Sequence, residues 1–304
     1  MIAVCGEALV DFVGGVPHPG GGPFNTARAL ARLDVPTAFL GRLSTDAYGQ
    51  ELARLLREDG VDISMASRGA EPTTAATVTV DSRGVAAYAF NIVGTSAPNL
   101  TTEMLPERLD HSVRGIHLGT LGLLLEPVAS TLIELVTKES AERLVMLDPN
   151  IRQVLLGDDG NEYRVRLESV IAMSTIVKAS EDDLAWLYPE LDYPAALKRI
   201  LRNERVELAV ATLGPNGAYA ATRLATVRVR APDVTVVDTI GAGDAFGAAL
   251  LAWLNDRNMI GPVLQLDTPH LESIVGFACA VSALCCSRAG ADSPRLEELI
   301  EVAQ

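Results

Sequence analysis

The feature that most constrains the fold is a repeated alternation of short apolar runs with longer helical patterns. The runs have the length and composition of buried strands, and they cover residues 2–5, 38–40, 115–118, 144–147, 175–177 and 208–212. The helical patterns between them cover residues 51–58, 128–139 and 193–203, and Gly60 is well placed to end the first of these helices. The alternation predicts an α/β fold in which helices cover both faces of a mostly parallel sheet. Since there is no repeat and no linker, we expect a single domain over residues 1–304.

One segment departs from this alternation. Residues 77–80 and 85–90 are rich in Val, Ala and aromatic residues, and they flank the turn-forming residues 81–84. This pattern predicts a β-hairpin.

A run of small residues near the C-terminal end, Gly241-Ala242-Gly243-Asp244, predicts an anion site at the start of a helix. Glycines allow backbone N–H groups to approach a ligand closely, and a helix N-terminus favours negative charge. Asp244 beside a bound anion disfavours binding alone, but it is well suited to remove a proton from a hydroxyl that attacks phosphorus. The ordinary alternative is that Asp244 only caps the helix.

A second glycine-rich helix start lies near the N-terminus, in Gly20-Gly21-Gly22-Pro23-Phe24-Asn25. Asn25 falls in the first turn of the predicted helix. Its side-chain amide can both donate to and accept from a sugar hydroxyl.

These two helix starts resemble the motifs of the ribokinase-like, or PfkB-type, carbohydrate kinases. Other segments follow in the order of that family along the whole chain: 41–49, which is similar to G-x-x-x-x-D-x-x-G, then 148–152, 178–181 and 212–218. The resemblance implies a ribokinase-like three-layer sandwich with a mostly parallel central sheet. It also implies a small β-sheet lid, contributed by about residues 9–19 and 71–97. A lid would exclude water while ATP phosphorylates a sugar.

The resemblance also assigns roles to individual residues. Asp244 would be the catalytic base, and the backbone of Gly241, Ala242 and Gly243 would bind the migrating phosphoryl group. The residues implied to bind substrate are Asp11, Gly21, Gly22 and Asn25, and those implied to bind nucleotide are Lys178, Ser180, Thr212, Gly214 and Gly217. Asp183 would hold Mg²⁺ through water, and a loop formed by Asp238, Ile240, Cys286 and Gly290 would hold K⁺.

Some of these residues have ordinary structural alternatives. The family pattern N-x-x-E is changed here, with Ser180 in place of Asn and Asp183 in place of Glu. Asp183 can also be explained as an acidic residue in the first turn of a helix, where the helix dipole favours it. Lys178 can be explained as a solvated strand end, and Asp11 as a turn aspartate.

The sequence constrains the identity of the substrate less than it constrains the type of reaction. Residues 116–127 are similar to the H-x-G-S-x-S-L-L-x-E-P run of the fructokinase branch, and residues 94–97 to its G-T-A segment. Residues 90–93 lack the arginine that often precedes that segment. We therefore expect a fructokinase-like hexose or ketose kinase, with 2-keto-3-deoxygluconate kinase, ribokinase or nucleoside kinase as alternatives. A non-catalytic sugar- or nucleotide-binding regulator is the alternative from another class.

The charge, the apolar runs and the motifs of the sequence argue against several other classes of protein. A net charge of −14 argues against a nucleic-acid partner or an anionic membrane surface. The apolar run 274–286 is too short for a membrane span and predicts a buried helix. No signal peptide is visible, and the four cysteines, none of which forms a C-x-x-C pair, fit reduced thiols in a cytoplasmic protein. The first strand is followed by Gly6-Glu7-Ala8-Leu9 rather than G-x-G-x-x-G, which argues against a dinucleotide-dependent dehydrogenase.

An open edge of the lid sheet would need to be covered. Pairing with the lid of a second subunit would cover it, so a homodimer is expected.

Overall fold

The computed structural model describes residues 1–80, 86–156 and 160–302, and this part of the chain contains nine α-helices and fourteen strands. The helices are α1 (Gly22–Arg32), α2 (Ala47–Glu58), α3 (Val128–Glu139), α4 (Asn161–Met173), α5 (Glu181–Leu187), α6 (Tyr193–Ile200), α7 (Ala242–Asp256), α8 (Thr268–Cys286) and α9 (Leu296–Val302). The first seven strands are β1 (Ile2–Cys5), β2 (Leu9–Val13), β3 (Val16–Gly20), β4 (Thr37–Leu40), β5 (Arg42–Ser44), β6 (Ser67–Gly69) and β7 (Ala75–Val80). The others are β8 (Ala86–Asn91), β9 (Gly115–Gly119), β10 (Leu144–Asp148), β11 (Ile176–Ser180), β12 (Leu208–Thr212), β13 (Ala218–Ala221) and β14 (Thr226–Val229).

An eight-stranded sheet forms the centre of the fold, in the order β14-β13-β12-β11-β10-β9-β1-β4. The six strands from β12 to β4 are parallel, and β13 and β14 continue the sheet in antiparallel pairs. All six strands predicted from the sequence are found, although β11 begins at Ile176. The predicted mostly parallel α/β fold is therefore confirmed.

Alternate residues of the central strands point to opposite faces of the sheet and enter two separate cores. In β1, Val4 joins a core formed with α1, α2, α7 and α8, whereas Ala3 and Cys5 join a core formed with α3 to α6. Strands buried on both faces need apolar residues throughout, which explains the unbroken runs in the sequence. The result is a three-layer arrangement of helices, sheet and helices.

The helix ends follow local rules. Gly60 follows α2 with a φ of +89°, a left-handed conformation that glycine adopts easily, so the predicted helix stop is confirmed. The helix expected over 193–203 ends earlier, at Ile200. Here the N–H groups of Arg202 and Asn203 bond to carbonyls three residues back, which tightens the last turn.

A smaller four-stranded sheet has the order β3-β2-β7-β8. Strands β2 and β7 are parallel, and β7 and β8 form the two arms of the expected hairpin. The turn expected at 81–84, with residue 85, lies outside the described residues. That this sheet acts as a lid stays a prediction.

Asp46, in the segment 41–49, links this smaller sheet to α2. Its carboxylate accepts hydrogen bonds from Gly49 N, Thr73 N and Thr73 Oγ1 at 2.8, 2.8 and 2.6 Å. The segment therefore has a structural part in the fold, because Asp46 caps α2 and fixes the chain leading to β7.

Helix α8 is long and apolar enough, by length and composition, to cross a membrane, and it alone passes that test among the described residues. It packs along α7 and against β13 and β14. Eight of its residues, among them Leu271, Ile274 and Val281, are buried. This packing is that of a core helix, as expected from the sequence.

Candidate active site

A cleft of about 920 Å³ opens at the carboxyl ends of the central strands. Ligands in open α/β sheets bind at this edge, at the point where the strand order reverses, which here lies between β1 and β9. Thirteen of the residues proposed from the sequence line the cleft: Asp11, Gly21, Gly22, Asn25, Lys178, Ser180, Asp183, Thr212, Gly214, Ile240, Gly241, Gly243 and Asp244. The other five, Gly217, Asp238, Ala242, Cys286 and Gly290, are not among its lining residues.

The two glycine-rich helix starts meet directly. Asn25 Nδ2 donates a 2.9 Å hydrogen bond to Asp244 Oδ2, across 219 residues of sequence. Both side chains are buried, at 9% and 8% exposure. Asn25 Oδ1 is buried without a partner in the described structure, which leaves an acceptor for a bound hydroxyl donor.

The turn before α7 requires glycine. Gly241 has a φ of +76°, and a Cβ placed on it would lie 2.5 Å from Ala291 Cβ. Among the three predicted N–H donors, Ala242 N already donates to Thr239 O at 3.3 Å. Gly241 and Gly243 are thus the donors in this turn that line the cleft.

Asp244 lies in the first turn of α7. Burial raises the pKa of its carboxyl, while the hydrogen bond from Asn25 and the positive charges of Lys178 and Arg152 lower it. Burial is the larger effect, so the pKa lies above the ordinary value for aspartate. This direction favours a carboxylate that can take up a proton.

Lys178 is buried, unlike the solvated strand end considered from the sequence. Its Nζ lies 2.7 Å from Asp148 Oδ2, and both side chains are 5% exposed. Burial lowers the pKa of Lys178, but the negative charges around it outweigh burial, so the ammonium stays charged. A Cβ on Gly243 would lie 3.0 Å from Nζ, so the ammonium lies directly beside the glycine turn.

Asp183 caps α5. Its Oδ2 accepts from Ser180 N and Ser180 Oγ at 2.9 and 2.6 Å, and its Oδ1 accepts from Ile151 N at 2.7 Å. Ser180 Oγ in turn accepts from Asp183 N, which completes a capping box. Asp183 also lies in the first turn of α5, which is the structural alternative that the sequence offered for it.

Asp11 lies on β2 and lines the cleft. Burial raises the pKa of its carboxyl, and the positive charges of Arg152 and His18 oppose this. Asp11 pairs with His18 across the β2–β3 ladder. It thus contributes a carboxylate from the smaller sheet to a cleft formed mainly by the central sheet.

The four predicted K⁺ ligands lie close together. The Asp238 carboxylate accepts from Ile240 N at 3.0 Å and from Gly290 N at 2.9 Å. The Cys286 carbonyl accepts from Val237 N and Asp238 N at 2.8 and 3.2 Å, which engages both of its lone pairs. Cys286 is therefore poorly suited to coordinate a cation in this conformation.

The cleft is also lined by residues that were not proposed as site residues, among them the polar residues Glu7, Thr120, Asp148, Asn150 and Arg152. Each ends or closely follows β1, β9 or β10. Glu7 is fully buried, and burial raises the pKa of its carboxyl to about 8. Position just after a buried parallel strand was the signal that could have identified them.

The described residues contain no group of three or more His, Cys, Asp or Glu side chains that could hold a metal ion. Any metal in this cleft would therefore take most of its ligands from a bound molecule or from water.

Comparison with known proteins agrees with this geometry. The profile of the pfkB family carbohydrate kinase matches residues 8–299. A fructokinase from Rhizobium leguminosarum bv. trifolii is 38% identical over 284 residues, which are 90% of this chain and 86% of the relative.

Two solved structures have the same fold over the full length of this chain. The fructokinase of Xylella fastidiosa with bound ATP is 26% identical, with a TM-score of 0.89, and covers 100% of this chain and 98% of its own. The fructokinase of Vibrio cholerae O395 with fructose, ADP and calcium is 25% identical, with a TM-score of 0.85 and the same coverage. The chain therefore belongs to the pfkB family of carbohydrate kinases, which are phosphotransferases with an alcohol group as acceptor.

Proposed function

We propose that this protein transfers the γ-phosphoryl group of ATP to a hydroxyl of a ketose or hexose, with fructose as the first candidate. The observation that carries this proposal is the hydrogen bond between Asn25 and Asp244 beside the glycine turn. It brings a carboxylate, an amide able to bind hydroxyls and an anion-binding helix start into one cleft. Fructokinases among the similar proteins support the choice of sugar.

In the proposed reaction, Asp244 accepts the proton of the sugar hydroxyl. The hydroxyl oxygen attacks the γ-phosphorus, and the bond from this phosphorus to the β–γ bridging oxygen breaks, releasing ADP. Asp244 Oδ2 is occupied by Asn25, which leaves Oδ1 for the proton. The N–H groups of Gly241 and Gly243, at the positive end of α7, stabilise the negative charge of the migrating group.

Lys178 supplies a fixed positive charge at the same turn. An ammonium has three donors, and in the described structure Asp148 takes one of them. The other two are available to phosphate oxygens. Ser180, Thr212 and Gly214 line the same part of the cleft and are proposed to bind the nucleotide, while Gly217 would only shape the turn after β12.

Mg²⁺ is proposed to be bound mainly by the phosphates of the nucleotide, as is usual for this ion. Asp183 would hold one of its waters. Three hydrogen bonds already occupy the Asp183 carboxylate, which has about four acceptor positions, so one remains. When bound, Mg²⁺ would neutralise phosphate charge. For K⁺, Asp238, Ile240 and Gly290 stay candidates, and Cys286 does not fit.

One observation favours 2-keto-3-deoxygluconate as a second candidate substrate. Arg152 lines the cleft, and in the described structure its guanidinium donates only to Asn150. A guanidinium with free N–H donors can bind one carboxylate through two parallel hydrogen bonds. A keto acid would use this charge, whereas fructose would not.

A coupled ADP-release screen tests the proposal. Ketoses, aldoses, keto-deoxy acids and nucleosides would be compared, each with K⁺ and with Na⁺, and Asp244→Asn would serve as the background control. We expect the highest kcat/KM with fructose. Release with the keto acid alone would favour the second candidate. If no acceptor gave ADP above the control, the non-catalytic regulator would become the better explanation.

We also propose that the protein is a cytoplasmic homodimer without a nucleic-acid or membrane partner. Its four cysteines are free thiols, which supports a reducing compartment. Strand β3 lies at the edge of the smaller sheet and exposes Val16 at 56%, which supports pairing with a second copy. Light scattering should give twice the 32.2 kDa chain mass; a monomer would refute the dimer.

A further inference from the structure

Three polar atoms converge on the place where a side chain of Gly22 would be. A Cβ on Gly22 would lie 2.6 Å from Thr120 Oγ1, 3.3 Å from Asn150 Nδ2 and 3.4 Å from Asp244 Oδ1. Accepting the proposed function, we propose that Thr120 and Asn150 position the acceptor hydroxyl against Asp244. They thereby form a hydroxyl-binding pocket whose floor is Gly22.

None of the three atoms is engaged elsewhere in the described structure. Thr120 Oγ1 has no hydrogen-bond partner there. Asn150 uses its Oδ1 to accept from Arg152, which leaves both donors of Nδ2 free. Asp244 binds Asn25 through Oδ2, which leaves Oδ1 free. All three residues line the cleft, so their unpaired atoms are available to one polar ligand bound there.

The donors and acceptors of this pocket match one hydroxyl group. A hydroxyl carries one proton and two lone pairs. Its proton goes to Asp244 Oδ1, and one lone pair accepts from Asn150 Nδ2 or from the Thr120 hydroxyl. The second lone pair stays free to attack phosphorus. The pocket therefore selects the reactive rotamer of the alcohol, in addition to binding it.

The backbone holds Thr120 and Asn150 in an uncommon conformation. Their φ angles are +53° and +42°, in the left-handed region that non-glycine residues seldom adopt, and Thr is β-branched. Such conformations are energetically unfavourable and cluster at functional sites. Thr120 N donates to Pro149 O at 3.1 Å, so the turns after β9 and β10 hold each other in place.

A matched pair of variants separates positioning from structure. Thr120→Val keeps the shape and β-branching but removes the hydroxyl, and Thr120→Ser keeps the hydroxyl. Calorimetry would measure the fructose Kd in the presence of a non-hydrolysable ATP analogue, next to kcat/KM and Tm. We expect Thr120→Val to weaken fructose binding and lower kcat/KM by roughly 10- to 100-fold, the effect of one lost hydrogen bond to a buried site.

Thr120→Ser should stay within about threefold of the wild type, and Tm should change little in either variant. Asn150→Asp, which replaces a donor by an acceptor of the same size, should lower kcat/KM more than it changes Tm. An unchanged Kd in Thr120→Val would overturn the inference, as would equal losses in the Val and Ser variants. Wild-type protein that binds fructose without turnover would instead refute the proposed catalysis and leave the binding comparison valid.

Discussion

Replacing Lys178 by methionine should destabilise the protein strongly, because it leaves Asp148 buried without its partner. Lys178 Nζ lies 2.7 Å from Asp148 Oδ2, and both side chains are 5% exposed. Removing one member of a buried pair typically costs about 3–5 kcal/mol. With the usual unfolding entropy per residue, this chain should lose about 5–8 °C in Tm.

An exposed lysine provides the matched control. Lys138 pairs with Glu134 at 2.6 Å, and their side chains are 47% and 45% exposed. Pairs of this kind contribute about 0–1 kcal/mol, so Lys138→Met should shift Tm by about 1–2 °C at most. Differential scanning calorimetry on both variants, without ligands, makes the comparison.

The loss of stability in the Lys178→Met variant should also depend on pH. Burial already raises the pKa of Asp148, and removing Lys178 raises it further. The folded variant then binds a proton that the unfolded chain releases, so its stability falls as pH rises from the ordinary aspartate value through the raised one. The Tm deficit should be larger at about pH 8 than at about pH 5. Adding Asp148→Asn to the Lys178→Met variant should recover much of the lost Tm.

A Lys178→Met variant that melted within about a degree of Lys138→Met would refute the reasoning. It would mean that the ammonium is solvated or that Asp148 has another partner. If the Tm deficit of Lys178→Met did not change with pH, the unpaired Asp148 carboxylate would not be the cause of the lost stability.

Three further predictions follow from other contacts. Asn25→Ala removes a hydrogen bond that lowers the pKa of Asp244, so the acidic limb of the kcat–pH profile should move to higher pH; movement to lower pH would contradict this. Burial raises the Glu7 pKa to about 8, so wild-type Tm should fall as pH rises from about 5 to 8, and Glu7→Gln should flatten this slope in calorimetry. Gly241→Ala should lower Tm, because a Cβ clashes there, whereas Gly276→Ala, in open space on α8, should raise stability by about 0.5–1 kcal/mol; equal shifts would be inconsistent with the turn geometry.

The sequence predicted the sheet well because its strands are buried on both faces. Apolar runs such as Leu208–Thr212 and Ile2–Cys5 carry this requirement locally, so each could be identified without knowledge of its neighbours. The two helix starts were equally visible, since glycines and a first-turn polar residue mark them. That Asn25 bonds to Asp244 could not be derived from spacing, because it depends on how α1 and α7 pack.

The backbone conformation and burial of the remaining site residues lacked such local signals. Nothing in the sequence requires a positive φ at Thr120 or Asn150, because most residues of these types have ordinary conformations. Burial of Lys178 depends on its surroundings, which include Asp148 and the turn at Gly243, and both lie far from it in sequence. Asp183 shows the reverse case: the sequence already allowed it as an acidic residue in the first turn of a helix, and the structure has it there, in a capping box with Ser180.

The central claim is that Asp244 removes the proton from a hydroxyl held beside the α7 glycine turn. The most direct measurement compares single-turnover sugar phosphorylation and ATP binding in wild type and Asp244→Asn, which has nearly the same size but cannot take up the proton. The account predicts a rate lower by about 10²–10⁴-fold, with an ATP Kd within a few fold of the wild type. A variant that phosphorylates sugar at close to the wild-type rate would contradict it.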